Sequence, residues 1–489
     1  MVLKTIGKSL RYEGAKKTDL PVISKTVSPL LWLLFLLCVL TLIYYLVMQP
    51  VWNWQNVIRI NAFTLLLWSI VTMFGAVVSS FAKNYLKGFT NQGTFSAMSL
   101  GFVFSVMFFV ASDHFLFLLF SWLFMGFFMA GLIGSDTKWD EAQAAAGYAL
   151  RFFLCSTVLL GLGLLIIYLC TIEATVSGAM SKLKLIPDYA LRLSGTLIFI
   201  AAIIQSTLYP FHRWLLSAMT APTPASALMR AGFVNGAGIL LSLLAPLFLA
   251  ADMLSLLFIV GGITAITAQF AKLLQVTIKH KLACSTIAQM GFMIMQCGLG
   301  FFNAAVAHLL LHGFYKAYLF LSSGEEIERG IPKKQLVTKI STLQALYVVI
   351  MGIAGALLFS LFTHKTSLTD SSVFLTLIVA ITVSQASYNI VKEDSLSKWL
   401  QLTLPFVLLV SGISLYALVY NAVTIMMSEM AMVGVPQPLT AVHVVFGVVF
   451  IAGYFVMKLG LYRKIPWLYV KLLNATQPYK KTILINKKS

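Results

Sequence analysis

The sequence has little charge and few carboxylates. Only 10% of its 489 residues are charged and 59% are hydrophobic, whereas a soluble domain carries about 25% charged residues. This composition excludes an ordinary soluble domain and predicts an all-α polytopic membrane protein. The sixteen Asp and Glu residues all fall in predicted loops, in tails or at helix ends. We therefore expect no carboxylate in the middle of the membrane.

The sequence also lacks paired cysteines and a recognisable leader. Its five cysteines lie singly, with no CxxC, so we expect neither a metal site nor a disulfide framework in this chain. The first 26 residues are polar and basic, and we expect no cleavable signal peptide. The net charge of +19 reflects the unequal distribution of lysine and arginine between the loops on the two sides of the membrane rather than nucleic-acid binding. The basic tails of the chain suit anionic lipids or an acidic partner equally well.

Apolar stretches long enough to cross a bilayer predict about fourteen transmembrane helices. They lie near residues 27–49, 60–82, 93–111, 114–134, 149–172, 191–219, 222–245, 252–275, 284–300, 303–322, 341–362, 371–391, 398–420 and 438–458. The stretch at 191–219 is read as one interrupted span.

Lysine and arginine set the predicted orientation. Most of them fall in alternate loops together with both tails, while the opposite side holds Arg59, Lys182, Lys184, Arg192 and Lys365. By the positive-inside rule, both termini are predicted to be cytoplasmic in a bacterial inner membrane.

The chain is divided by these patterns into six predicted segments. They are a basic N-terminal tail (1–26), N-terminal transmembrane helices (27–190), an antiporter-like core with the interrupted helix (191–323), a charged cytoplasmic loop (324–340), C-terminal transmembrane helices (341–458) and a cytoplasmic basic tail (459–489).

The strongest candidate site is a row of titratable residues in an apolar helix. His308, His312 and Lys316 recur every fourth residue, so on a helix they share one face. Ionisable groups are costly in lipid, and this face must meet protein or water. The pattern favours a proton or ion path over a merely structural network.

A second candidate feature is the predicted break near Pro210. Proline removes a backbone donor and disfavours helix in the preceding residue, so carbonyls near Gln205 should be left for side chains, water or an ion. Beyond the break, His212 and Arg213 lie toward the cytoplasmic side, where they would meet a partner or an anion, or serve as an interfacial anchor.

The next helix carries a buried arginine, Arg230, which stays protonated at physiological pH and cannot act as a proton relay. Backbone carbonyls, Asn235, the two histidines or a bound anion are its candidate partners. Lys272 and Lys279 are seven residues apart, and we expect them to share a face at the end of the eighth helix, as part of the ion path or as flanking lysines.

Two blocks carry a family resemblance. They are QSTLYPFHRWLLSAMTAPTPASALMRAGFVNGAGILL, from Gln205 to Leu241, and ACSTIAQMGFM followed by AHLLLHGFYKAYLFLSSG. Both resemble the antiporter-like membrane subunits of respiratory complex I and of multisubunit cation/proton antiporters. Within this family, the sequences of the two blocks most resemble the branch formed by the membrane subunits of the DAB inorganic-carbon accumulation complexes.

The resemblance also shows departures from the family. Arg151 matches a family arginine and is expected, with Gln205, Arg230 and Asn235, to be a buried polar or anion contact. The family has a lysine where Gln205 stands, a histidine where Arg230 stands, and a buried glutamate in the helix that here reads FLFLLFSWLFMGFFMAGLIG. The aspartate that follows the matched arginine in complex I is also absent from RFFLCS, and the loss of both acids argues against the usual pumping mechanism.

The resemblance implies a membrane subunit that conducts protons or sodium and is not itself an enzyme. It further implies a large cytoplasmic zinc-binding partner related to β-carbonic anhydrases, whose hydration of CO2 the gradient would drive, with the zinc in the partner and no cofactor in this chain. Two alternatives stay open. One is a subunit of a cation/proton antiporter or respiratory pump, and the other is a non-transporting anchor for a peripheral enzyme.

Overall fold

The computed structural model describes residues 20–50, 52–54, 56–322, 341–365, 367, 369–393, 396–432, 434–458 and 465–483. Most of the predicted N-terminal tail (1–26), the charged loop at 324–340 and parts of the tail at 459–489 lie outside the described residues.

The first part of the described chain is helical apart from one short hairpin. Its elements are α1 (Val22–Met48), β1 (Trp52–Trp54), β2 (Ile58–Ile60), α2 (Ala62–Tyr85), α3 (Gln92–Ala111), α4 (Phe115–Ile133), α5 (Asp140–Thr171), α6 (Val176–Ser181) and α7 (Asp188–Gln205). The two strands pair antiparallel, with Trp52 opposite Ile60.

The second part is also helical and contains short and irregular pieces. Its elements are α8 (Arg213–Ser217), α9 (Thr223–Leu228), a π-helical segment (Met229–Phe233), α10 (Gly236–Leu243), α11 (Ala245–Ala250), α12 (Leu254–Leu273), α13 (Ile278–Gly298), α14 (Phe302–Leu321), α15 (Thr342–Phe362), α16 (Ser372–Val391), α17 (Lys398–Met426), α18 (Ala441–Lys458) and α19 (Pro466–Ala475).

Twelve helical segments in the described residues are long and apolar enough to cross a membrane. The polytopic all-α class is therefore confirmed, but the count of about fourteen is not. The two other predicted spans form α13 and α18. Lys279, His280 and Lys281 in the first turn lower the hydropathy of α13, and α18 contributes only a shorter apolar helix, Ala441–Gly453.

The interruption near Pro210 is present. Helix α7 ends at Gln205 and α8 begins at Arg213. The carbonyl of Ile204, just before the break, accepts hydrogen bonds from the Thr207 amide at 3.3 Å and from Trp214 Nε1 at 2.9 Å. As the sequence predicts, a side chain helps to satisfy a carbonyl near Gln205.

The segment Thr223–Leu243 lies at the centre of the bundle, since 94% of its apolar window is buried. By contrast, only 22% of the corresponding window of α1 is buried, and its exposed side chains, such as Leu33 and Leu40, are apolar. Such a helix is suited to contact lipid. The π-helical segment inside Thr223–Leu243 holds Arg230 in the middle of the protein.

Helices α12 and α13 cross with their backbones in close approach. A Cβ atom built on Gly261 would lie 2.5 Å from the amide nitrogen of Met295 and 2.6 Å from the carbonyl oxygen of Gly291. Only glycine allows this spacing, which is typical of small-residue contacts between membrane helices. The crossing fixes α13 beside α14, and these two helices carry most of the candidate site.

Candidate functional site

The α14 row consists of His308, His312 and Lys316. The rings of His308 and His312 are nearly parallel, with centroids 6.0 Å apart, and Lys316 Nζ donates a hydrogen bond to Ser285 Oγ of α13 at 2.8 Å. His312 is 6% and Lys316 1% exposed. The row thus faces protein, on the helix face that its four-residue spacing predicts.

Arg230 lies against the Lys316 end of this row and is fully buried. Its Nη1 donates to the carbonyl of Ser226 at 3.0 Å, and its Nη2 meets the sulfur of Met219 at 3.3 Å. The guanidinium carbon lies 3.9 Å from the centre of the Phe320 ring, which makes a cation–π contact. The charge of Arg230 acts on His312 and Lys316.

Lys279 and Lys272 extend the positive charge to one end of the bundle. Lys279 Nζ approaches the carbonyl oxygen of Ala221 at 3.5 Å, and its charge interacts with that of Arg230. Lys272 is half-buried and acts electrostatically on Lys316. The prediction that the two lysines share one helical face is wrong, because α12 ends at Leu273 and Thr277 caps a new helix.

A cavity of about 900 Å³ separates α12 and α13 from α16 and α17. His308 and Lys272 both line it. Its other polar lining side chains are Gln269, Gln289, Gln296, Thr382, Gln385, Ser387, Asn389 and Tyr416. A space of this size with several hydrogen-bonding groups can hold water. The cavity therefore joins the mid-helix histidine to the lysine at the end of α12.

Several buried polar atoms in this region have no hydrogen-bond partner within the protein. They include Gln205 Nε2, Ser226 Oγ, Arg230 Nε, Asn235 Oδ1, Gln296 Oε1, His308 Nε2 and both ring nitrogens of His312. Native proteins pair nearly all such atoms. Their concentration around the α14 row makes this region the candidate site for water or a ligand.

Gln205 and Asn235 lie where the broken helix meets the π-helical segment. Gln205 Nε2 would be 3.0 Å from a Cβ built on Gly236, and Asn235 Nδ2 donates to the carbonyl of Ala231 at 2.9 Å. Both side chains are buried. The structure thus brings them together, and their part in ion movement stays a prediction.

Arg151 is not part of this site. The structure places it on the exposed face of α5, so the prediction of a buried polar or anion contact is wrong. The reason is its helical position, since the buried face of α5 passes through Ala149 and Phe153, and Arg151 points away from both.

His212 also differs from its prediction. It is buried, it stacks on Tyr209 with ring centroids 4.9 Å apart, and its Nε2 lies 2.7 Å from the carbonyl oxygen of Ala475. The C-terminal helix α19 of the same chain therefore occupies the position predicted for a partner or an anion. Arg213, by contrast, is exposed and remains available to a partner.

The acids lie away from the α14 row in the described residues. Asp113, just before α4, accepts hydrogen bonds from the backbone nitrogen of Ser177 at 2.9 Å and from the Ser177 hydroxyl at 2.5 Å. Glu173 pairs with Lys182 near the same end of the bundle. In the described residues, no three His, Cys, Asp or Glu side chains gather as metal ligands would.

Two features of the site were not predicted from the sequence. The π-helical turn at Arg230 has no propensity signal, although PTPASALMRAG is rich in small residues. The lining of the cavity by α16 and α17 depends on tertiary packing. The spacing of Tyr416 and Tyr420 at i and i+4 could have indicated a polar face on α17.

A broken helix, and a buried histidine and lysine row that packs against the segment Thr223–Leu243 within a bundle of apolar helices, are the arrangement expected of an antiporter-like membrane protein. The family described as NADH:quinone oxidoreductase/Mrp antiporter, transmembrane, matches residues 111–386, more than half of the chain. The chain belongs to this family. The family resemblance identified in the sequence is thereby confirmed.

The chain is similar to curated proteins named as inorganic carbon transporter subunits and to others named as NADH-quinone oxidoreductase subunits. A probable inorganic carbon transporter subunit DabB of Bacillus anthracis is 33% identical over 297 residues, which is 59% of this chain and 57% of the relative. A DabB of Bacillus subtilis is 37% identical over 212 residues, 42% of each chain. NADH-quinone oxidoreductase subunit L of Pseudomonas aeruginosa is 34% identical over 292 residues, 56% of this chain and 47% of the relative. The matches thus span about half the length of these relatives.

Solved structures show the same fold at low identity. A chain of the membrane-bound sulfane sulfur reductase, an archaeal respiratory membrane complex, has a TM-score of 0.60 and 19% identity over 99% of this chain and 96% of that chain. A chain of the Mrp complex from a Dietzia strain has a TM-score of 0.56 and 20% identity, covering 94% of this chain and 51% of that chain.

Proposed function

We propose that this chain is the ion-conducting membrane subunit of an inorganic-carbon transporter in a bacterial inner membrane. The observation that carries the proposal is the α14 row, whose His308 lines a mainly apolar cavity that also reaches Lys272 and several amide and hydroxyl side chains. Histidine changes charge near neutral pH, which suits a proton relay. The similarity to proteins named inorganic carbon transporter subunits supports the choice of cargo.

In this proposal, protons or sodium ions move along the α14 row. Lys316 continues the row beyond the histidines and is held by Ser285, while Lys279 and Lys272 lead to the end of the bundle that we assign to the cytoplasm. The two histidines are one helical turn apart, so a water molecule between them could pass a proton. The row is the element whose two charge states would drive a coupled change.

The chemistry of carbon hydration would lie in a partner. We propose a large cytoplasmic zinc-binding subunit related to carbonic anhydrases, which would hold the zinc. Exposed Arg213 and the neighbouring helix α19 offer a basic surface on the proposed cytoplasmic side, and Lys471 of α19 lies 5.4 Å from the centre of the Trp467 ring. Exposed tryptophan and lysine on one short helix also suit anionic lipid headgroups.

Two other functions have support from specific observations. The similarity to NADH-quinone oxidoreductase subunit L favours a proton pump or antiporter subunit. The location of the described acids away from the α14 row favours a membrane anchor that moves no ion, because a carboxylate would lower the cost of holding a buried cation.

Uptake of labelled inorganic carbon tests the proposal. Carbonic-anhydrase-deficient cells would express the chain with its genomic neighbour, with and without an uncoupler. Accumulation that needs both proteins and collapses with the gradient is the expected result. Accumulation that ignores the uncoupler would indicate an anchor, and no accumulation at all would favour the pump or antiporter function.

Variants of the α14 row then test the route. His312→Ala and His308→Ala are each expected to lower uptake about tenfold or more, since they remove a proton-carrying group from the row. The matched control is His364→Ala, because His364 is exposed in the loop after α15 and should leave uptake unchanged. Full uptake in both row variants would refute the relay.

A further inference from the structure

The candidate site concentrates positive charge without a matching acid. Arg230 lies close enough to Lys316, Lys279 and His312 to act on each of them electrostatically. Among the described residues, no carboxylate lies within salt-bridge distance of any of them. Buried charges in proteins are normally paired, because an uncompensated charge is costly to hold away from water.

The cluster also presents hydrogen-bond donors that the protein leaves unused. Arg230 is fully buried, and its Nε has no partner. Both ring nitrogens of His312 and the hydroxyl of Ser226 are unpartnered as well. Ser285 accepts one hydrogen bond from Lys316, whose ammonium carries three donors. These groups together offer an anion more donors than the surrounding carbonyls take up.

The geometry of the Arg230 guanidinium indicates which kind of anion could bind to it. Its Nη1 is engaged with the carbonyl of Ser226, but Nη2 touches only the thioether of Met219, which is a weak acceptor. The free Nε and the weakly engaged Nη2 form one edge of the planar group. Such an edge binds a planar oxyanion through two parallel hydrogen bonds. The Met219 side chain is flexible and can move aside for a ligand.

We propose that Arg230, with Lys316 and Lys279, holds a small planar monovalent oxyanion of the carboxylate or bicarbonate class. The inference deepens the proposed function and rests on it for the identity of the physiological anion. Its test measures binding rather than uptake, so the two proposals can fail separately.

The experiment titrates the purified full-length protein, in detergent or nanodiscs, with ¹³C-bicarbonate and with ¹³C-formate and follows the broadening of the ¹³C line of each anion on binding. We expect saturable binding of both, displaced weakly by chloride because a spherical ion cannot present two oxygens to the two parallel N–H bonds of the guanidinium edge. Arg230→Lys keeps the charge but loses the edge, and should raise the Kd about tenfold. Arg230→Gln should abolish binding.

Arg192→Gln is the matched control, since Arg192 is exposed on α7, and it should change the Kd less than twofold. If Arg230→Gln does not yield folded protein, Lys316→Gln removes the second cation and is expected to weaken binding about tenfold as well. Absence of saturable binding in the wild type, or equal binding in the wild type and the folded Arg230 or Lys316 variants, overturns the proposal. Chloride binding as tight as that of bicarbonate would overturn the assignment to planar oxyanions.

Discussion

Gly291→Ala is expected to force α12 and α13 apart at the point where they cross. A Cβ at position 291 would lie 2.7 Å from the amide nitrogen of Ala265 and 2.8 Å from the carbonyl oxygen of Gly261, whereas ordinary contact begins at 3.4 Å. Because both neighbours are backbone atoms, no side chain can rotate away. The helices must therefore separate by about 0.7 Å, the difference between 3.4 and 2.7 Å.

The cost of this separation can be set against the gain in helix propensity. Overpacking of a well-packed interior costs about 1–3 kcal/mol, and replacing glycine by alanine in a helix returns up to about 1 kcal/mol. The net expectation is a loss of about 1–2 kcal/mol of stability. Gly147→Ala on α5 is the matched control, since a Cβ there meets nothing within 4 Å. It should be neutral or slightly stabilising.

Thermal unfolding of the two variants in the same detergent, followed by tryptophan fluorescence, measures the difference. We expect the Tm of Gly291→Ala to fall below that of Gly147→Ala by about 1–3 °C, because the unfolding entropy of a chain of 489 residues is about 1 kcal/mol/K. The shift of α13 should also disturb the 2.8 Å hydrogen bond between Ser285 and Lys316 and lower transport by folded protein. Equal Tm values for the two variants would refute the close helix crossing.

Two further predictions concern the ends of the bundle. Burial lowers the pKa of Lys365, in the loop after α15, to about 7, although the charge of Asp370 opposes the shift. Because the unfolded chain then binds more protons than the folded chain between about pH 7 and 10.5, the free energy of unfolding should rise with pH across this window. Lys365→Met should reduce this rise by about 1–2 kcal/mol after solvent screening, as measured by thermal unfolding at several pH values. An unchanged dependence of stability on pH in the variant would contradict the prediction. His212→Ala removes the contact with the Ala475 carbonyl and should speed tryptic cleavage at Lys471 about tenfold. The control His364→Ala should leave the cleavage rate unchanged. Equal cleavage rates in the two variants would show that other contacts hold α19 in place.

The sequence predicts the parts of the fold that depend on local chemistry. The apolar runs give the helices, Pro210 gives the break, and the four-residue spacing of His308, His312 and Lys316 gives their common face. Each of these depends on residues that are near one another in the chain, so periodicity and proline chemistry suffice.

The parts that the sequence does not predict depend on contacts between distant residues. The match to the family predicts that Arg151 lies in the interior, but the orientation of its helix turns it outward. The sequence predicts that His212 meets a partner or an anion or acts as an interfacial anchor, whereas α19, more than 250 residues later, covers it. The π-helical turn at Arg230 is stabilised by packing at the centre of the bundle and has no local signal.

The resemblance implies a histidine where Arg230 stands, and no described acid pairs with Arg230; together these two features have one consequence. A fixed carboxylate lowers the cost of a buried cation permanently, and only protonation can remove its charge. A bound anion lowers the same cost, but it can also dissociate and take its charge with it. If Arg230 holds such an anion, the occupancy of that site controls how readily His312, which lies next to it, accepts a proton. Ion movement along the α14 row and the presence of the anion would then be linked thermodynamically, and each would alter the affinity for the other.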